Sequence, residues 1–139
     1  GVDRLDAFAS PVLEANRLRQ RSRANAALGQ HLAAVADAER AQRLAPDDPS
    51  LTELLGDQLA AAGDAGRAIE TLRAALAQLA RGGGNPLARA RIYRKIGQAE
   101  ESRGQPANAY DAYRIAVELA REPIAASRLA RMREDAGMP

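Results

Sequence analysis

Three glycines, Gly29, Gly63 and Gly104, stand at the same point of three similar stretches, 34 and 41 residues apart. Alanines hold the register, since Ala34, Ala68 and Ala109 each follow their glycine by five residues. Four residues on come Ala38, Leu72 or Tyr113, and three further on Ala41, Ala75 or Ala116. A fixed period of this length marks a stack of repeated helix pairs rather than one closed core. Each pair leaves an apolar face that only its neighbour can cover. Chains of this kind usually bind rather than catalyse.

Composition agrees with that reading. Apolar residues make up 46% of the 139-residue chain, most of them alanine, and aromatics only 3%. Alanine has the highest helix propensity and lets helices approach closely, so the chain is expected to be all-α. No alternating β-branched run points to a strand. Nineteen of the twenty basic residues are arginine, yet the net charge is only +2. Basic and acidic side chains number 7 and 7 in residues 1–48, 3 and 4 in 49–82, and 10 and 7 in 83–139. No segment carries the one-sided field of a nucleic-acid binder. The absence of cysteine excludes disulfides and thiolate metal sites. No apolar stretch is long and uncharged enough to enter a membrane as a spanning helix. The chain starts at Gly1, as a processed product would, and its arginine-rich, lysine-poor make-up is common in bacteria with GC-rich genomes. A bacterial cytoplasm or periplasm is the expected setting.

Local signals place the helices. Residues 3–9 read as a short fragment with Leu5 and Phe8 on one side, after which Ser10–Pro11 supplies a cap and a first helical proline. Helices are then expected over 11–28, 31–44, 49–62, 64–81, 86–103, 106–121 and 123–137. Asp48–Pro49 and Asn85–Pro86 repeat the cap-then-proline device, Asp64 caps the fourth of these helices, and Gly82–Gly83–Gly84 interrupts the chain. The last helix has a narrow apolar stripe of Ala125, Leu129, Met132 and Ala136, with Arg128, Arg131, Glu134 and Asp135 expected to face away.

With these residues in place, the chain resembles the tetratricopeptide repeat family, whose pattern is W-x2-L-G-x2-Y, A-x3-F and P. The second repeat matches through Leu55, Gly56, Leu59, Ala68, Leu72 and Ala75, and the third through Tyr93, Ile96, Gly97, Ala109, Tyr113 and Ala116. The first matches in its second helix through Ala34, Ala38, Ala41 and Pro46. In its first helix only Leu18 fits, with Arg21, Ser22 and Asn25 in place of leucine, glycine and tyrosine. The resemblance implies a right-handed α-solenoid of antiparallel helix pairs. Its expected divisions are a fragment at 1–10, repeats at 11–48, 49–82 and 83–122, and a capping helix at 123–139. Arg21 is a poor core residue, so the first helix is expected to show a solvated face or one covered by something absent. Residues 5–11 resemble the tail of a preceding repeat, which makes the chain a segment of a longer array.

Catalytic chemistry finds little support. His31 is the only histidine and reads as a boundary residue. Glu100 and Glu101 point about 100° apart on a helix and cannot act as a facing pair. Asp47–Asp48 is turn and cap chemistry. No histidine pair or carboxylate cluster has metal-ligand spacing. Gly82–Asn85 lacks the lysine and hydroxyl of a phosphate loop and reads as an inter-repeat loop. No cofactor or metal is expected. The run from Arg17 to Arg23 splits between two helix faces and reads first as a solvated surface, with a ligand contact by Arg19 and Arg23 as the alternative.

The resemblance implies a concave groove lined by the first helix of each pair. It would hold Asn16, Arg19, Gln20 and Arg23, then Ser50, Glu53, Asp57 and Ala60, then Arg91, Arg94, Lys95, Gln98 and Glu101. Its ends are basic and its middle acidic. It lacks the lysine–asparagine arrangement by which some family members clamp a C-terminal carboxylate. The expected function is a non-enzymatic scaffold that presents this groove to a peptide or protein segment. The alternative is a structural or self-associating segment, with the amino-terminal end as the docking surface.

Overall fold

The computed structural model describes residues 2–137, with side chains from Ser10 onward. The described residues form seven helices and no strand. They are α1 (Val2–Ala27), α2 (His31–Leu44), α3 (Pro49–Ala61), α4 (Ala65–Arg81), α5 (Pro86–Ser102), α6 (Pro106–Ala120) and α7 (Pro123–Asp135). They divide into two compact units, residues 1–71 and 72–139, so that α4 begins in one and ends in the other.

The three register glycines end their helices in one common way. Gly29, Gly63 and Gly104 have φ of 77°, 87° and 72°, a left-handed backbone that only glycine adopts without strain. Each amide donates to the carbonyl three residues back, at 3.0 Å in all three turns. The next amide reaches five residues back, Gln30 to Asn25 at 2.8 Å, Asp64 to Leu59 and Gln105 to Glu100 at 2.9 Å. This pair of bonds satisfies carbonyls that a helix end would otherwise orphan. The expected caps also form. Asp48 accepts from the Ser50 amide, Asn85 from Ala88 and Asp64 from Arg67.

The amino-terminal expectation is corrected. No break occurs at Ser10–Pro11, and α1 runs through Pro11 for 26 residues. A proline inside a helix withholds one amide bond and crowds the carbonyl four residues back. Pro11 is exposed. The side chains of Leu5 and Phe8 lie outside the described residues.

In the first unit, Ala15 and Leu18 of α1 pack with Val35, Ala38 and Ala41 of α2, Leu51, Leu54, Leu55 and Leu59 of α3, and Ala68 of α4. In the second, Ala90 of α5, Ala109, Tyr113 and Ala116 of α6, and Ala125 and Leu129 of α7 form a core. The repeat-defining small positions Ala34, Ala68, Ala109, Ala41, Ala75 and Ala116 are all fully buried, as are Ala38, Leu72 and Tyr113 apart from a trace of Leu72. Gly56 and Gly97 are buried within α3 and α5. Gly97 is glycine for a local reason, because a Cβ there would stand 2.4 Å from the Tyr113 ring. Ala125 and Leu129 hold α7 in place, with Met132 packed beside them. Ala136 is exposed beyond the helix end and adds nothing to the stripe.

Candidate functional site

Each unit presents a face built from first helices of the repeat, and each is wired internally by polar side chains. In the first unit α1 meets α3. Arg19 donates from Nη2 to Ser50 Oγ at 3.1 Å and stands 3.7 Å from Asp48 Oδ2. Asp48 in turn caps α3, so Arg19 braces that helix start. Asn16 and Arg23 are exposed and make no hydrogen bond or ion pair among the described residues. Glu53 is buried, Asp57 is half-buried, and both have partners.

In the second unit α5 meets α7. Arg94 donates to Gln98 Oε1 at 3.1 Å and its Nε stands 3.5 Å from Glu122 Oε1. Glu122 also caps α7 through the Ala125 amide at 2.6 Å. Glu101 accepts hydrogen bonds from Arg128 of α7 and from the Tyr113 hydroxyl of α6. Arg91 and Lys95 also have partners. The expectation that Arg128 faces away is therefore overturned, since its guanidinium is drawn inward by a carboxylate on α5. The bond from Arg128, helped by the one from Tyr113, holds the Glu101 carboxyl below the usual carboxylate range. Burial, reinforced by the neighbouring carboxylate, pushes the Tyr113 phenol upward, so it remains a hydrogen-bond donor.

The irregular first helix has its own account. Arg21 donates two bonds to Asp37 of α2, at 3.0 and 2.7 Å, and Asn25 Nδ2 adds a third at 2.9 Å. The Ser22 hydroxyl, fully buried, donates to the Ala34 carbonyl at 2.7 Å. The three residues that depart from the repeat pattern thus make one polar seam between α1 and α2. The paired guanidinium holds the buried Asp37 carboxyl below its ordinary range. Arg21 is exposed, as a solvated face requires, and a carboxylate on α2 supplies its partner. Of the thirteen groove candidates, Asn16, Arg19, Gln20, Arg23, Ser50, Glu53, Asp57 and Ala60 fall in the first unit, and Arg91, Arg94, Lys95, Gln98 and Glu101 in the second.

Glu100 and Glu101 diverge as their spacing requires. Glu100 is buried and bonded to Arg103, while Glu101 turns to α7. His31 is half-buried at the start of α2. Among the described residues no group of three or more histidines and carboxylates could hold a metal ion. Among them, too, no helix is long and apolar enough to cross a membrane.

No model of a protein family matches the sequence, and no curated protein matches it either. Solved structures match throughout. The amino-terminal domain of stress-induced protein-1 from C. elegans covers 86% of this chain and 94% of its own, with a TM-score of 0.75 and 11% identity. The first repeat domain of Spaghetti (RPAP3), solved with the HSP90 peptide SRMEEVD, covers 90% and 94% with a TM-score of 0.74 and 15% identity. The globular C-terminal domain of P. aeruginosa LpoP covers 73% and 93% with a TM-score of 0.68 and 30% identity. With its seven described helices, its three glycine-closed pairs and these neighbours, the chain has the tetratricopeptide repeat fold. Its likeness to the LpoP domain is one of sequence as well as fold.

Proposed function

We propose that the chain is a non-enzymatic protein-interaction scaffold that receives a peptide or protein segment on the α1–α3 face of the first unit or on the α5–α7 face of the second. The observation that carries this reading is a division of labour. Apart from the half-buried Tyr93 and the exposed Pro46, the positions that match the repeat pattern are buried in helix packing, while Asn16 and Arg23 project into solvent without partners among the described residues. Unpaired exposed arginine can pair with carboxylates or carbonyls of an incoming chain. Arg19 and Arg94 are engaged with Ser50 and with Gln98 and Glu122, so they first hold the faces in shape. The fold relatives support a peptide or protein partner, one of them being solved with an HSP90 peptide. The missing lysine–asparagine arrangement weighs against that same kind of C-terminal tail here.

The test uses the chain as bait, alongside a variant carrying Asn16→Glu and Arg23→Glu. Captured proteins should be lost with the variant, and their binding to the unaltered chain should weaken as salt rises. Capture that survives both charge reversals would overturn the face assignment.

A second reading is self-association through the amino-terminal end. It is favoured by Val12, Leu13, Leu28 and Leu32, large apolar side chains that are 61–82% exposed in the first unit. Sedimentation across a concentration series, with and without Val12→Ser and Leu13→Ser, decides it. A mass that stays monomeric throughout removes this reading.

A further inference from the structure

The second unit contains a cavity of about 370 Å³ on the other side of α5 from the face just described. Its walls include Leu76 of α4, Ile96 and Glu100 of α5, and Ala112 and Ile115 of α6, with the exposed Asp111 beside them. At 100° per residue, Ile96 and Glu100 lie on the side of α5 opposite Arg91, Lys95 and Gln98.

Glu100 is the unusual member. It is 2% exposed. Its Oε1 accepts a bond from Arg103 at 3.0 Å, but Oε2 is shut from solvent and has no hydrogen-bond partner among the described residues. A buried carboxylate oxygen without a donor is costly, and native structures rarely keep one without a use.

The first unit shows what such a place looks like when complete. In the repeat register Ile96, Glu100 and Ala112 correspond to Arg21, Asn25 and Asp37. There a guanidinium on the first helix grips a carboxylate on the second, and an amide joins them. In the second unit the carboxylate sits on the first helix, the Arg103 guanidinium reaches only its Oε1, and alanine at position 112 leaves open space. Tyr93 and Asn108 add polar atoms to the lining, so the walls are mixed. The apolar stretch of Leu76, Ile96 and Ile115, the orphaned acceptor and the acidic neighbour Asp111 together describe a long side chain with a planar cationic head.

We propose that this cavity receives an arginine side chain from a partner protein, its guanidinium donating to Glu100 Oε2 and its methylenes lying on Leu76, Ile96 and Ile115. Arginine suits the site better than lysine, because its fork of donors matches a carboxylate while the stem covers apolar surface. Arg73 also borders the cavity, yet it is exposed and has no ion pair among the described residues. It is a competitor for the same acceptor. The proposal shares with the reading above only the premise that the occupant is part of a protein.

The experiment is a titration of the isotope-labelled full chain with N-acetyl-arginine N-methylamide, followed by amide NMR shifts. The blocked lysine and citrulline analogues serve as comparisons. Saturable shifts are expected at Ile96, Glu100, Ala112 and Ile115 with arginine, weaker ones with lysine, and none with neutral citrulline. Glu100→Gln should weaken arginine binding about tenfold, the worth of one charge-assisted hydrogen bond. Asp111→Asn, at an exposed position that leaves the core untouched, should weaken it about two- to threefold. Arg73→Ala should leave it unchanged or tighter. Equal shifts with citrulline, no saturable shifts, or undiminished binding by both acidic variants would overturn the proposal. Lysine binding as tightly as arginine would overturn the choice of guanidinium. Shifts confined to Arg91, Lys95 and Gln98 would overturn it while leaving the α5–α7 face intact. Saturable, Glu100-dependent binding in the cavity would stand even if the charge reversals at Asn16 and Arg23 lost no partner.

Discussion

The α1–α2 pair of the first unit and the α5–α6 pair of the second close on the same turn but join their helices by opposite chemistry. In the second, Gly97 lets the Tyr113 ring lie directly on the backbone of α5, and the ring's hydroxyl ties off on Glu101. In the first, Ser22 occupies the glycine position and bonds the Ala34 carbonyl, while Arg21 and Asn25 clasp Asp37. One joint is steric, an aromatic knob in a glycine socket. The other is polar, and its small alanine at position 38 leaves room for hydrogen bonds rather than a ring. The contrast teaches that the repeat pattern demands a close approach of two helices, and that either packing or a satisfied polar seam can supply it.

The largest effect should come from breaking the steric joint. Gly97→Leu places a branched side chain where even a Cβ would stand 2.4 Å from the ring, and it should cost about 3 kcal/mol or more in urea unfolding. A loss smaller than that of Ser22→Ala, itself expected at about 1 kcal/mol, would break the comparison. Next come the positions the two units share. Ala68→Leu and Ala109→Leu enter fully buried sites and should each cost on the order of 1–3 kcal/mol, by similar amounts. An unchanged melting temperature for both would mean that the repeat register is misplaced.

The polar joint is sharpened by a double-mutant cycle. Arg21→Leu alone strands the buried Asp37 carboxylate and should lower the melting temperature. Adding Asp37→Ala removes the stranded charge and recreates the apolar pairing of Ile96 with Ala112, so most of the loss should return. If the double variant is no better than the single, the seam is not a pair. The smallest effect is acid sensitivity. Asp37 and Glu101 titrate lower when folded than in an unfolded chain, so the folded state binds fewer protons. Their contribution is complete above about pH 4–5 and is lost as pH falls through the depressed folded values. Asp37→Asn should therefore flatten the decline in stability below about pH 4, by under about 1 kcal/mol given solvent screening of Arg21. An unaltered acid profile would show that Asp37 gains nothing from its partner.

What was legible in the sequence follows from what spacing encodes. The turn glycines, the buried alanines and the cap-then-proline starts at Asp48–Pro49 and Asn85–Pro86 are local or periodic, and each stands where its spacing places it. The exposure of Arg21 is legible but its partner is not, because Asp37 lies sixteen residues away, at a position the pattern leaves variable. The signal was nonetheless present, in an acid three residues after Ala34 facing a base at the leucine position. Arg128 was misread for a related reason. Helical periodicity sorts side chains into apolar and polar faces but does not say which polar face meets a carboxylate on another helix. A serine–proline pair such as Ser10–Pro11 marks where a helix can start, not whether one has already started.

The uniform glycine turns carry a consequence for how such a chain diverges. Because Gly29 and Gly104 close their helices with the same two bonds, each hairpin inherits its geometry from the turn and not from the residues that touch across it. A duplicated hairpin can then exchange an aromatic contact for an ionic one, one substitution at a time, without losing its place in the array. The turn acts as the hereditary part, and the helix faces are left open to acquire new chemistry.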